Sequence, residues 1–426
     1  MRATSAYRPK GERGGGAGGA RRSGDSRRAR RIEDRPRLAA QDFADQLARC
    51  AAALEEALAS RDLSRFYAAF RASELPFLLG CHLEGPHGLA WRCFDVVHRL
   101  GSISPAVALA LENHYYVSCA LATFPSPDDS VLEARRSSLV RSIVDQRLLV
   151  ANTNSRIHAG KLGTLGSSAR VEDGGYRVSG SAAYMSLATE GDLVFFLTQV
   201  ETMGPAVFVA PLRGNPRIEV GPLLFPDAMI DSDTRQVVFR EPLLPAESAL
   251  LVGKSDALAR LTAFQSAWHQ ALILAPFLGA AARALDEARR FLRAVASPDG
   301  KPLAELDGMI LDVGRMAIRY RAARSFAHSA CTALEAAATR RPELPEITEL
   351  FELACASKQF GTRCAEAIVT EVRRIVGARA FTGASVLDRL SREVMFGPLG
   401  GEVHAFIERR YGRRMLGDDD FVHNDW

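Results

Sequence analysis

Nine histidines and seven cysteines carry most of the side-chain chemistry this chain offers, and neither set is spaced to hold a metal. The histidines form no ligand-spaced cluster. The cysteines, at 50, 81, 93, 119, 331, 355 and 364, are odd in number, scattered and never paired as Cys-x-x-Cys. That usage fits buried thiols in a reducing cytoplasm. Acid–base work is the chemistry left open, because an imidazole titrates near working pH. His269 follows Trp268 on an apolar helical run, His114 follows Asn113 on another, and His158 and His404 stand alone. Packing is the usual role of such a histidine.

The rest of the composition sets limits. At 426 residues, 47% apolar and 24% charged, the chain reads as a soluble globular protein of two or three domains. No stretch approaches the ~18 apolar residues of a membrane span. The formal charge of +4 is unevenly placed. Residues 1–37 hold 12 Arg/Lys and four acids, a Gly/Arg/Ser-rich segment expected to be disordered, with no apolar core of a secretory signal. The remainder is then mildly acidic, which gives no footprint for nucleic acid.

Elements to position any site fall into three blocks. Residues 38–150 read as helical, with Phe43, Leu47, Cys50, Leu54 and Leu58 at three- and four-residue steps. Further helical runs span Ala90 to Leu100, Pro105 to Phe124 and Arg135 to Leu149. Residues 151–250 are an island of strand signals. Glu172-Asp-Gly-Gly175 suits a hairpin turn, while Asp192-Leu-Val-Phe-Phe-Leu197 and Ala206-Val-Phe-Val-Ala210 suit buried strands. Asp233-Thr-Arg-Gln-Val-Val-Phe239 alternates before a Pro-bounded exit. Helices return over 251–417, with stripes through Phe277–Val295, Leu311–Ala336, Leu350–Val376 and Gly401–Leu416, enough for a four-helix bundle. Residues 418–426 form a tail. The expected fold class is mainly α with a central β-barrel.

Six segments, in the right order, resemble the acyl-CoA dehydrogenase superfamily of flavoproteins over about residues 40–417. Leu83-Glu-Gly-Pro-His-Gly-Leu89 resembles its Pro-x-x-x-Gly-Gly-x-Gly segment, and Val178-Ser-Gly-Ser-Ala-Ala-Tyr-Met-Ser186 its Asn-Gly-x-Lys-x-Trp-Ile-Thr/Ser strand. Asp233-Thr-Arg-Gln-Val-Val-Phe239, continued by Leu244-Pro-Ala-Glu-Ser, is similar to Ser-Thr-x-x-Val-x-Phe. Gly300-Lys-Pro-Leu-Ala-Glu-Leu306 resembles Phe-Gly-Lys-Pro-Ile-x-Glu-Phe, and Gly377-Ala-Arg-Ala-Phe381 resembles Gly-Gly-x-Gly-Tyr/Phe.

The resemblance implies an FAD site and a substrate base, but several expected side chains differ. The Thr-Glu-Pro-x-x-Gly-Ser-Asp loop falls on Asn154–Lys161, without its acids or proline. The Arg for the FAD pyrophosphate is Ala296, the adjoining Phe is Asp299, and the Gln before the Gly-Gly turn is Arg374. By position, Tyr184 would stack on the flavin and Ser186 would reach its N5 region, where charge builds on reduction. Thr153, Asn154 and Gly160 would line the pyrimidine side. Arg374, with Gly377 and Ala378, would meet a phosphate. An ungapped count puts Gly401 where the family has its glutamate base, with Glu402 one residue along; a shifted alignment puts Pro398 there. Some members carry the base on a bundle helix, which here falls on His269. The neighbouring Arg that meets the CoA nucleotide in relatives is Gln270.

The function implied is an FAD-dependent oxidoreductase that introduces an α,β double bond into an acyl thioester of CoA or an acyl carrier protein. A dimer or tetramer built through the bundle goes with it. A flavin-dependent monooxygenase and a catalytically degenerate partner of an active paralogue are the alternatives.

Overall fold

The computed structural model describes residues 36–124, 129–154, 157–158, 161–382 and 385–417. At 157–158 and 161–162 it describes the backbone alone. The basic segment through Arg35, Gly160 and the tail from 418 lie outside the described residues.

The first block holds β1 (Arg37–Leu38), α1 (Ala40–Ser60), α2 (Ser64–Ala72), β2 (His82–Leu83), α3 (Leu89–Gly101), α4 (Pro105–Thr123) and α5 (Ser130–Asp145). Helix α1 buries Phe43, Cys50, Ala51, Leu54 and Ala57, the spacing of one helical face, and stops at Arg61 in the left-handed region. Helix α4 differs in kind. Every residue from Pro105 to Leu121 is buried, so it runs through the middle of the molecule. Its start is fixed by Pro105 and by Ser104 Oγ, which accepts the Val107 N–H at 3.2 Å. The run expected from Arg135 to Leu149 begins earlier, at an Asp129 cap, and ends at Asp145. Arg147 then turns left-handed (φ 55°) and leads into a strand.

The second block is β3 (Val150–Thr153), β4 (Ile157–His158), β5 (Lys161–Leu162), β6 (Ser167–Glu172), β7 (Gly175–Met185), β8 (Leu193–Val200), β9 (Gly204–Pro211), β10 (Ile218–Leu223), β11 (Arg235–Pro245) and β12 (Ala249–Val252). The main sheet runs β10-β11-β7-β6-β8-β9-β12, with β3 parallel to β8. The expected barrel is an open sheet among the described residues. No pairing joins β10 to β12, so the ladder does not close. The hairpin at Asp173-Gly174 is as expected, with φ of 49° and 74°. Strand β8 reads as continuously apolar because both of its faces are covered. Phe195 and Leu197 join the helical core, while Val194 and Phe196 fill a second core within the sheet.

The third block is α6 (Asp256–Leu272), α7 (Ala275–Ala294), α8 (Asp307–Ala338), α9 (Leu344–Val376), α10 (Val386–Val394) and α11 (His404–Met415). Helices α6 to α9 pack together, so α6 stands in the bundle where the stripe Gly401–Leu416 was expected, and α9 opens on a Glu343/Glu346 capping box. Helix α10 has no counterpart in the sequence reading. Helix α11 starts at His404 rather than Gly401, which leaves 397–403 as a loop over the end of α6. All seven cysteines are buried, and no helix among the described residues is long and apolar enough to cross a membrane.

Candidate active site

A single acid interrupts the apolar surface of α4. Glu112 has 0% exposure, and a carboxylate so placed needs a partner. The partner is His269 on α6, whose Nδ1 lies 2.9 Å from Glu112 Oε1. Burial pushes the Glu112 carboxyl up from its ordinary range, and the imidazole beside it pulls the other way. With Nδ1–H donated to an ionised Glu112, Nε2 would be the proton-accepting atom. The His269 side chain is 21% exposed, so this nitrogen stands at the edge of the core rather than inside it.

What Nε2 faces is the loop before α11. A β-carbon built on Gly401 would lie 3.1 Å from His269 Nε2 and 3.1 Å from Gln270 Nε2. Gly401 also has φ +63°, a region where glycine is at ease. Position 269 and position 401, the two places where the resemblance set a base, therefore meet; one carries an imidazole and the other no side chain.

The same pair connects to the strand expected to hold flavin. The Tyr116 ring, one turn along α4 from Glu112, packs on His269 with centroids 4.5 Å apart. The Tyr116 hydroxyl is hydrogen-bonded by Asn152 Nδ2 on β3. Asn152 in turn pairs by backbone with Ser186, just past the end of β7. Ser186 Oγ lies 2.8 Å from Thr234 Oγ1, and Thr153 Oγ1 donates to Ala183 O at 2.9 Å. Tyr184 is 51% exposed, sits at φ 62° and stacks on Phe225, whose other contact is Phe396. Asn154 Oδ1 is buried without a partner among the described residues, an acceptor suited to a pyrimidine N–H. These residues fit the ring end of a flavin.

The phosphate end is less well furnished. Arg374 is exposed on the last turn of α9, followed by Gly377 at φ +70° and the exposed Ala378. Gly160 lies outside the described residues, so its expected contact has no structural counterpart.

Glu402 requires a correction as a candidate base. Both of its oxygens are taken by Arg410, Nη1 to Oε1 and Nη2 to Oε2, and Arg410 also holds Glu352. Lys358 Nζ donates to the Glu402 carbonyl at 2.6 Å. Bound this way in the bundle, the carboxylate serves as an anchor for the loop. Two of the other candidate histidines, His114 and His404, are struts. His114 takes the Val150 N–H on Nδ1 at 3.1 Å and meets Pro76 O through Nε2 at 2.7 Å. His404 pairs with Thr362 at 2.8 Å. The side chain of His158 lies outside the described residues.

Glu112, Tyr116 and Asn152 were not singled out from sequence. The signal available was an acid and an amide inside apolar runs, positions where burial demands a partner.

This architecture, helices, sheet and helices with α4 packed on both α6 and β3, is the acyl-CoA dehydrogenase fold. Residues 271–407 match the family described as acyl-CoA dehydrogenase, C-terminal domain. Solved structures share the whole arrangement. Butyryl-CoA dehydrogenase from Megasphaera elsdenii superposes with a TM-score of 0.75 at 18% identity, over 88% of this chain and 97% of that one. FMN-bound TdsC from Paenibacillus sp. gives 0.74 at 18%, over 88% and 97%. KijD3, in complex with FMN and a dTDP-linked amino keto sugar, gives 0.76 at 20%, over 90% and 95%. No curated protein sequence matches this chain.

Proposed function

We propose that this chain is a flavin-dependent oxidoreductase that dehydrogenates an acyl thioester, with His269 as the base. The observation that carries the reading is the continuous path from Glu112 and His269 through Tyr116 and Asn152 to Ser186. It puts a proton acceptor beside the strand suited to a flavin ring. A bound flavin supplies hydride acceptance there. Tyr184, Ser186, Thr153 and Asn154 would hold its ring. His269 Nε2 takes the substrate α-proton, and the Glu112 carboxylate stabilises the imidazolium that results. Arg374 is the group available to a phosphate, and whether the cofactor is FAD or FMN turns on that end.

The test is the absorbance of the purified protein under anaerobic titration with a short acyl thioester. Bleaching of a flavin band, lost in His269→Ala while flavin stays bound, supports the reading; unchanged bleaching in that variant removes His269 from it. A second reading, oxygen activation by reduced flavin, is favoured by TdsC holding FMN with indole on this fold. It predicts flavin reoxidation coupled to substrate only when oxygen is present. A protein that binds no flavin and co-purifies with a paralogue would fit a partner subunit instead.

A further inference from the structure

Helix α9 turns four buried polar side chains toward the loop that precedes α11 and toward α11 itself. Glu352, Cys355, Lys358 and Thr362 follow at three- and four-residue steps, the spacing of one helical face. Glu352 accepts from Arg410, and Cys355 Sγ donates to Glu402 Oε2 at 3.2 Å. Thr362 Oγ1 lies 2.8 Å from His404 Nε2. Lys358 differs from these three because it grips backbone. Its Nζ donates to Glu402 O at 2.6 Å and to Pro398 O at 3.4 Å, carbonyls on either side of Gly401. Lys358 has 0% exposure, and burial pulls its ammonium down to about 8 while Cys355 and Glu402 hold it up. A charge costs much in such a place, where an apolar side chain would pack at less penalty. What the lysine supplies instead is a pair of donors that fix the turn over 398–402.

Held by α9 on one side, the turn abuts α6 on the other. A β-carbon on Gly401 would lie 3.1 Å from His269 Nε2 and 3.2 Å from Ile273 Cδ1. We infer that Lys358 is a positioning residue: by fixing the Pro398 and Glu402 carbonyls it holds Gly401 against the His269 ring, and so keeps that ring in register with Glu112. The inference rests on the reading of His269 as the base and deepens it. Arg410 secures the Glu402 side chain, but a bond to a carboxylate leaves the peptide planes around Gly401 able to rotate. A glycine at φ +63° opposes that rotation least. Lys358 removes the freedom by holding the backbone directly, and its part is played through Gly401 and His269.

The experiment uses the full-length protein and two variants. Lys358→Met keeps a side chain of similar length and removes both donors, while Thr362→Val releases the tie to His404. Carbethoxylation by diethyl pyrocarbonate near neutral pH is followed at each histidine by peptide mass spectrometry. Exposed His82 is the internal reference, and buried His114 reports general loosening. Lys358→Met should speed modification of His269 about threefold or more while His82 and His114 keep their rates. Thr362→Val should act in the same direction. With a short acyl thioester, kcat should fall about tenfold or more in Lys358→Met, with KM and flavin affinity held. A residue that only fills the bundle would lower the melting temperature and leave the His269 rate alone, and that result overturns the inference. So does an equal rise at His114, or faster modification of His269 with kcat unchanged. Should Lys358→Met fail to fold, an unchanged His269 rate in Thr362→Val overturns it. If His269 alone reacts faster but the parent bleaches no flavin with the thioester, the reaction assignment fails and the positioning stands. If the parent bleaches flavin through His269 and Lys358→Met alters neither rate, the reverse holds.

Discussion

A β-carbon at Gly401 would stand 3.1 Å from His269 Nε2, closer than side chains normally approach without displacement. The turn at 401 thus packs directly against the imidazole at 269. Gly401→Ala should push on that ring and strain a backbone at φ +63°. Expected are a loss of roughly 1 kcal/mol in stability and a fall in kcat/KM of about tenfold or more, with flavin affinity retained. Chemical denaturation, steady-state rates and flavin titration measure the three separately.

Glu112 is the orienting partner of the base, so its loss should show in the rate. Glu112→Gln keeps the shape and removes the carboxylate beside the imidazole. The maximal rate should fall by about 10²–10⁴-fold. An unchanged maximal rate would separate Glu112 from catalysis.

His114 couples acid to stability. Burial holds its imidazole down at about 4, against an ordinary 6.5. The folded state therefore binds fewer protons than the unfolded chain between these values, and stability is lost as pH falls from about 6.5 to about 4. His114→Leu should remove this component of the acid sensitivity. It should also cost about 2–4 kcal/mol at neutral pH by stranding the Val150 N–H and the Pro76 carbonyl. Urea unfolding at several pH values reads both effects.

Glu393 acts in the opposite sense. Burial, with Asp231 nearby, raises its carboxyl from 4.5 to about 7 against the opposing pull of Arg389 and the backbone of α4. The folded state holds the proton longer, so stability falls as pH rises from about 4.5 through about 7. Glu393→Gln should match the parent at pH 4.5 and exceed it by roughly 2–3 kcal/mol at pH 8. Melting temperatures at the two pH values decide it.

How much of this was legible before the structure varied by kind. Helices α4, α7, α8 and α9 announce themselves because their apolar periodicity or length exceeds anything a strand sustains. The hairpin at Asp173-Gly174 is written in residues that tolerate positive φ. Closure of the sheet is another matter, since it depends on pairing between β10 and β12, which no local pattern encodes. Helix α10 is only nine residues long and sits between turns, so its stripe is too short to read. At the site, position along the family pattern pointed to His269 but not to its partner. Glu112 is 157 residues away in sequence, and only the packing of α4 on α6 brings them together. Glu402 misled for a similar reason. The guanidinium that occupies it belongs to Arg410 on the following helix, and spacing alone does not reveal such a bond.

The bond between Glu402 and Arg410 has a consequence for how such a protein changes over time. A glutamate introduced at 401 would bring a second acid to an imidazole already held by Glu112, while the carboxylate next door is bolted into the bundle and unable to swing across. One substitution at that turn therefore yields a carboxylate that competes with Glu112 for the same ring, and Glu402 cannot take its place.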